Sequence, residues 1–303
     1  MEQQRFGRNV RYVGCLMLAC VLSAGAISLS FARPAPAATT VTMVGAGDIA
    51  DCRNRNDEAT AKLVSKIRGT VFTLGDSVYD RGTAAEFRNC YSPSWGKFKK
   101  RTKPAVGNHE YYTNNASPYY NYFGARAGKP SKGYYSYNRG AWHIVVLNSN
   151  CDKVGGCGPT SQQGTWLRRD LRRDKSRCTM AYFHHPLYAS GDQVQTNSVR
   201  PFWDMLQTDR ADVILAGHAH RYERLAPQTP GGVRSKNGIR QFIVGTGGKP
   251  ASGPAGAKDD NSQVVGDNTP GVLKLDLRSK GYSWKFIPIA GKSFRDSGKQ
   301  QCH

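Results

Sequence analysis

The sequence predicts an α/β (α+β) chain, and three observations carry that prediction. Short apolar runs, each long enough for one strand, recur between residues 41 and 287. A stretch of helical spacing separates the first two, which is the pattern of a parallel βαβ unit. Asn138-Arg139-Gly140 links two later runs and favours a tight turn, which is the pattern of an antiparallel pair.

Residues 41–46 form a short apolar strand that stops at Gly47-Asp48. Residues 57–68 follow as a helix, with Ala61, Leu63, Val64 and Ile67 on or near one face and Asn56 or Asp57 as its N-cap. Residues 70–74 are a second strand, again closed by Gly-Asp at Gly75-Asp76, with Tyr79 just beyond. A site built on this unit belongs at the C-terminal edge of its strands. The third strand, 102–106, ends at Gly107-Asn108-His109-Glu110. The Tyr- and Asn-rich stretch 111–122 and the stretch 124–133 are expected to form a long irregular surface loop.

Residues 134–137 and 141–147 make the hairpin, and His143 inside it reads as a packed histidine rather than a ligand. Residues 161–174 are a helix with Trp166, Leu167 and Leu171 inward and its arginines outward. The strand 179–183 delivers His184-His185-Pro186. Pro201 opens another helix, where a missing N–H costs nothing. The run 213–216 then leads into Gly217-His218-Ala219-His220. Residues 239–244, 272–277 and 282–287 read as strands, and the Gly-, Ser- and Asp-rich stretch 250–269 as a mobile loop.

The N-terminus reads as address rather than fold. Arg5, Arg8 and Arg11 precede an almost uncharged run, and Ala35-Pro36-Ala37 offers small residues for cleavage. Residues 1–37 are therefore expected to be a Sec-type signal peptide, with a retained membrane anchor as the alternative. Residues 38–303 would form one domain, secreted or extracytoplasmic. Six cysteines remain beyond the leader, and an even number in an exported chain implies disulfides. Cys151 and Cys157 flank a Gly-rich loop that they would close. Cys52 is expected with Cys90 and Cys178 with Cys302.

The formal charge of +21 attracts anions non-specifically. Lys97, Lys99, Lys100, Arg101 and Lys103 cluster, as do Arg168, Arg169, Arg172 and Arg173, and solvated faces account for both. The sequence has no basic helix or aromatic ladder of the kind nucleic-acid modules use.

The polar residues that close the strands are the chemically telling set. Asp48, Asp76, Tyr79, Asn108, His184, His218 and His220 are two carboxylates, a phenol, an amide and three imidazoles. No thiolate is among them, so the set suits Fe, Zn, Mn or Ni rather than a soft metal. Seven donors are too many for one ion in ordinary geometry and suit two ions sharing a carboxylate.

Gly47-Asp48, Gly75-Asp76-Ser77-Val78-Tyr79, Gly107-Asn108-His109-Glu110, His184-His185-Pro186 and Gly217-His218-Ala219-His220, in that order, resemble the five motifs of the calcineurin-like metallophosphoesterases. Tyr79 and the run from His220 to Arg224 resemble the purple acid phosphatase branch. The resemblance covers roughly residues 44–248. It implies a four-layer αββα sandwich of two mixed β-sheets flanked by helices, with a dimetal site on loops at one edge. Asp48, Asp76, Tyr79 and His220 would hold one ion, and Asp76, Asn108, His184 and His218 the other, with Asp76 bridging. The Tyr79 site would take Fe(III), and the second Fe(II), Zn or Mn.

The implied activity is hydrolysis of phosphate monoesters by in-line attack of a metal-bridging hydroxide, with His109 protonating the leaving oxygen. His185, Glu110, Arg221 and Tyr222 would stand behind the ligands or touch substrate. A phosphodiesterase or phospholipase-D-like hydrolase with the same site is the alternative. A basic anion- or nucleic-acid-binding protein with a vestigial site is the second. The resemblance implies no obligate nucleic acid and no protein partner. This chain departs from the purple branch in three places. No histidine occurs between Leu187 and Arg200, Glu110 stands where Asp is usual, and Gly47-Asp48-Ile49-Ala50 lacks a closing Gly.

Overall fold

Strands that are apolar without alternation are buried on both faces, and the central strands here obey that rule. In the computed structural model every residue of Cys178–Tyr182 and of Val213–Ala216 is buried. Their residues part alternately to two sides. Ile144, Met180, Tyr182, Val213 and Leu215 enter one apolar core, while Val145, Ala181, Phe183 and Ile214 enter another. The first core fills the space between two sheets, and the second lies under the helices that cover one of them.

The structure describes residues 10–12, 14, 40–191, 195–251, 253 and 256–303. All but four residues of the leader expected at 1–37 lie outside the described residues. Among the described residues no helix is long and apolar enough to cross a membrane.

In chain order the first half comprises β1 (Val41–Ala46), β2 (Ala50–Asp51), α1 (Asn56–Ser65), β3 (Thr70–Leu74), β4 (Val78–Tyr79), α2 (Ala84–Glu86), β5 (Thr102–Ala105), α3 (Ser117–Phe123), β6 (Tyr135–Arg139) and β7 (Trp142–Val146). The second comprises α4 (Gln162–Arg173), β8 (Cys178–Tyr182), α5 (Arg200–Thr208), β9 (Val213–Ala216), β10 (Tyr222–Leu225), β11 (Arg240–Val244), β12 (Ser262–Gly266), β13 (Gly271–Arg278), β14 (Gly281–Pro288) and β15 (Asp296–Gln301).

One mixed sheet runs β15-β14-β13-β1-β3-β5, with β1, β3 and β5 parallel. The other runs β12-β10-β11-β9-β8-β7-β6, with β7, β8, β9 and β11 parallel. Phe72 meets Tyr182 across the sandwich with ring centroids 6.1 Å apart, and Trp142 meets Tyr282 at 5.6 Å. α4 and α5 cover the second sheet through Leu167, Leu171, Phe202 and Trp203. Ser161 caps α4 by accepting from the Gly164 amide at 3.0 Å. Two mixed sheets flanked by helices are thus the architecture. Its parallel strands bring the loops after β1, β3, β5, β8 and β9 to one edge.

Several stretches differ from the sequence reading, among them β10 and β15, which it did not read as strands. Residues 111–122 are not a surface loop. They hold short helical turns and α3, with Tyr119, Tyr120 and Phe123 buried. Their rings pack with Phe87 and Tyr91 into an aromatic cluster, and the intervening Asn, Ser and Pro hid the helical spacing. The stretch 250–269 contains β12, which pairs with β10. Residues 252, 254 and 255 of that stretch lie outside the described residues. His143 is buried between Asp170 (2.9 Å) and Asn138 (2.8 Å), as a packed histidine.

Candidate metal centre

Backbone hydrogen bonds lock the loops of this edge together. The Asp48 amide donates to Gly75 O at 3.1 Å, Ile49 to Asp76 O at 2.9 Å, and Gly217 to His184 O at 2.9 Å. Each loop turns sharply just past its strand. Asp48, Asp76 and His218 have φ of 59°, 48° and 68°, the left-handed region that side chains enter at a cost and that clusters at functional sites. Gly107 and Gly217 are glycines for a steric reason. A Cβ on Gly107 would collide with Asp76 Oδ1, and one on Gly217 with Asp48 Oδ2.

The seven side chains meet. The Tyr79 hydroxyl lies 2.7 Å from Asp48 Oδ1, 3.0 Å from Asp76 Oδ2 and 3.2 Å from His220 Nε2. His184 Nε2 lies 3.3 Å from Asp76 Oδ2, 3.0 Å from Asn108 Oδ1 and 3.2 Å from His218 Nδ1. Asp76 is common to both groups. Asp48, Asp76 and His184 are essentially inaccessible to solvent.

The chemistry of these donors calls for a cation. His184 Nδ1 gives its proton to Leu74 O at 2.7 Å, which leaves a lone pair on Nε2. Asn108 turns its amide nitrogen to the Tyr112 hydroxyl at 3.4 Å, which leaves Oδ1 facing inward. A carboxylate, an amide oxygen and two imidazole nitrogens therefore converge lone pair to lone pair. No Lys or Arg among the described residues pairs with Asp48 or Asp76, and two buried carboxylates without a cation are costly. Protons take its place in the metal-free protein. Burial opposes charge on His184, yet Asp76 and Asp48 outweigh it and push His184 up to about 9. Burial and the neighbouring His184 push His218 down to about 4, leaving it as the neutral imidazole that binds metals.

His109 stands at the rim. Its amide donates to Asp76 Oδ1 at 3.0 Å, and its Nδ1 lies 2.6 Å from Asp80 O. The ring packs on Tyr79 and Tyr112, and Nε2 lies 3.8 Å from Asp76 Oδ2. Beside it opens a pocket of about 570 Å³ lined by Asn108, Tyr111, Tyr112, Ser149, His185 and Thr196.

With the architecture and this site in hand, comparison with known sequences is decisive. The profile of the calcineurin-like phosphoesterases matches residues 42–222, more than half of the chain. The chain belongs to the calcineurin-like phosphoesterase family. Among its relatives, probable purple acid phosphatase 20 of Arabidopsis thaliana is 29% identical over 196 residues, covering 56% of this chain and 43% of that protein. The phosphoenolpyruvate phosphatase of Allium cepa is 29% identical over 196 residues, covering 56% and 39%. Each match thus spans less than half of the relative's length.

A solved purple acid phosphatase from yellow lupin (Lupinus luteus) seeds superposes with a TM-score of 0.68 at 18% identity, covering 87% of this chain and 54% of that one. The inner membrane complex anchor GAP50 of Plasmodium superposes at 0.67 and 13%, covering 87% and 89%. Both likenesses are of fold.

In this calcineurin-like phosphoesterase the remaining sequence expectations fall out unevenly. Glu110 does not face the pocket. It is buried and accepts from the amides of Asp76 (3.1 Å), Ser77 (2.6 Å) and Gly107 (2.7 Å), which staples the β3 loop to the β5 loop. Tyr222 packs on Phe286, and its hydroxyl donates to Asp296 at 2.6 Å. Arg221 is buried with its Nε 3.9 Å from Asp267. His185 lines the pocket, and its amide donates to Ser149 Oγ at 3.0 Å. Disulfides join Cys52 to Cys90, Cys151 to Cys157 and Cys178 to Cys302. Sequence reasoning missed Lys249, whose Nζ lies 4.6 Å over the Tyr79 ring and 2.9 Å from Asp51. Only the Gly-Gly before it hinted at a chain pressed against the site.

Proposed function

We propose that this chain is a secreted, metal-dependent phosphomonoesterase of the purple acid phosphatase type. The observation that carries the reading is Tyr79 O–H set between Asp48 and Asp76, with His220 on one side and the His184–Asn108–His218 group on the other. Asp48, Asp76, Tyr79 and His220 are the residues to hold one ion, and Asp76, Asn108, His184 and His218 the second. When bound, such a pair supplies Lewis acidity toward phosphoryl oxygens and a nucleophile at moderate pH. A phenol favours ferric iron at its own site, with Fe(II), Zn or Mn at the other.

The chain's own groups supply the rest. Burial and the Asp48 and Asp76 carboxylates push the Tyr79 hydroxyl well above its ordinary value, and a nearby cation reverses that balance. His109 Nδ1 is committed to Asp80 O, so Nε2, the nitrogen turned toward Asp76, is the one left to carry a proton to substrate. Delivered to the ester oxygen, that proton turns a poor leaving group into an alcohol. Tyr112 packs on the imidazole and fixes its plane. The three disulfides support an extracytoplasmic setting.

Hydrolysis of mono- and bis-p-nitrophenyl phosphate, with and without chelator, tests the reading. The expected result is chelator-sensitive turnover that favours the monoester. Preference for the diester would instead favour a phosphodiesterase with the same site, and no chelator-sensitive turnover of either would overturn hydrolysis.

A further inference from the structure

A cavity of about 840 Å³ lies away from the metal centre. One wall is a single face of α4 carrying Gln162, Trp166 and Arg169, and the other is the stretch with Lys129, Lys132 and Tyr134. Helical spacing turns Leu167 and Leu171 into the core but leaves Trp166 only half-buried, against Tyr134 with ring centroids 4.9 Å apart. Lys132 Nζ lies 5.9 Å from the Tyr134 ring. No carboxylate among the described residues pairs with Lys129, Lys132 or Arg169. The nearest acid on the helix, Asp170, is already held by Ser136 and His143, both at 2.9 Å.

The cleft therefore offers an aromatic surface framed by three uncompensated cations. Aromatic faces take flat rings, and unpaired cations take phosphates. A ligand that offers both at short intervals is a nucleotide chain. The cleft is also next to the catalytic pocket. Asn148 Nδ2 donates to Lys132 O at 3.0 Å and to the Tyr111 hydroxyl at 2.7 Å, and Tyr111 lines the pocket beside Asn108. The buried Asn148 thus ties the two walls together.

We propose that this cleft binds single-stranded nucleic acid, stacking a base on Trp166, whose ring is backed by the buried Tyr134, and neutralising backbone phosphates with Lys129, Lys132 and Arg169. The binding needs no hydrolysis, so it stands or falls separately from the phosphatase reading. The sequence carried no aromatic ladder because Tyr134 and Trp166 come from different elements and meet only on folding.

The test is fluorescence anisotropy of a labelled oligothymidylate titrated with the full chain over a range of salt. Saturable, salt-dependent binding is expected. Trp166→Leu should weaken it about tenfold, the worth of one stacked base. Lys129→Glu with Arg169→Glu should weaken it further and flatten the salt slope by about 1.4. Both variants should keep the wild-type circular dichroism spectrum and unfolding midpoint, which certifies their fold whether or not the chain hydrolyses phosphate esters. Absence of saturable binding at physiological salt would overturn the proposal. So would binding unchanged by Trp166→Leu, or inorganic polyphosphate binding as tightly as the oligonucleotide, because both signify diffuse attraction to a basic surface.

Discussion

The Lys249 ammonium stands 4.6 Å from the centre of the Tyr79 ring, over its face. A cation there draws on the π electrons of the one phenol in the proposed ligand set. It lowers the energy of the orbitals from which a tyrosinate donates to iron. In protein loaded with ferric iron, Lys249→Met is expected to move the tyrosinate charge-transfer band to longer wavelength. Visible absorption spectra of the two proteins check this, and an unmoved band would remove Lys249 from the account.

In the proposed reading, His109 acts on the leaving group without holding metal. His109→Ala is expected to slow alkyl phosphate turnover by about 10²–10⁴-fold. Activated aryl esters, whose leaving groups need no proton, should lose far less. Metal content should be unchanged. Parallel kinetics on an alkyl and an aryl ester decide it, and equal losses on both would contradict the role.

Glu110 accepts three backbone amides in a site closed to water. Burial and Asp76 push its carboxyl up to about 8 against the opposing pull of the Gly107 and Ser77 amides and of His184. Donors at both oxygens leave a proton there no acceptor, so the carboxylate is the form the geometry fits. Glu110→Gln turns an NH₂ group toward N–H donors. A loss of about 1–3 kcal/mol in stability is expected, for a buried donor left unmade, together with reduced metal retention. Denaturant unfolding and elemental analysis of the variant measure both.

Asp57, in the first turn of α1, gives the stability curve a slope. Burial first, then the charge of Glu58, push its carboxyl up to about 7. Unfolded, it titrates near 3.9. The folded chain therefore holds more protons between about pH 4 and 7, and stability falls as pH rises through that window. Asp57→Asn is expected to raise the unfolding midpoint by about 2–4 °C at pH 8 and to leave it unraised at pH 4. Equal midpoints at pH 8 would contradict this.

The sequence made the strands and the polar residues closing them legible for a plain reason. A strand buried on both faces has to be apolar, and it leaves a Gly-Asp or Gly-His where it meets the edge. What it concealed was packing. α3 was hidden because its buried Tyr119, Tyr120 and Phe123 are interleaved with polar residues. β10 was hidden because Tyr222 sits in a run that reads as part of a polar motif. The stapling by Glu110 depends on amides from two loops, and the Lys249–Tyr79 contact joins residues far apart in the chain. Neither leaves a local pattern.

Asp76 Oδ2 lies 3.0 Å from the Tyr79 hydroxyl and 3.3 Å from His184 Nε2, between the two groups of donors. Elemental analysis of metal-loaded, desalted protein, wild type against Asp76→Ala, tests the central claim most directly. Two ions per chain are expected for the wild type, with both weakened by the substitution. A wild-type chain that retains no metal yet still cleaves phosphate esters would contradict it.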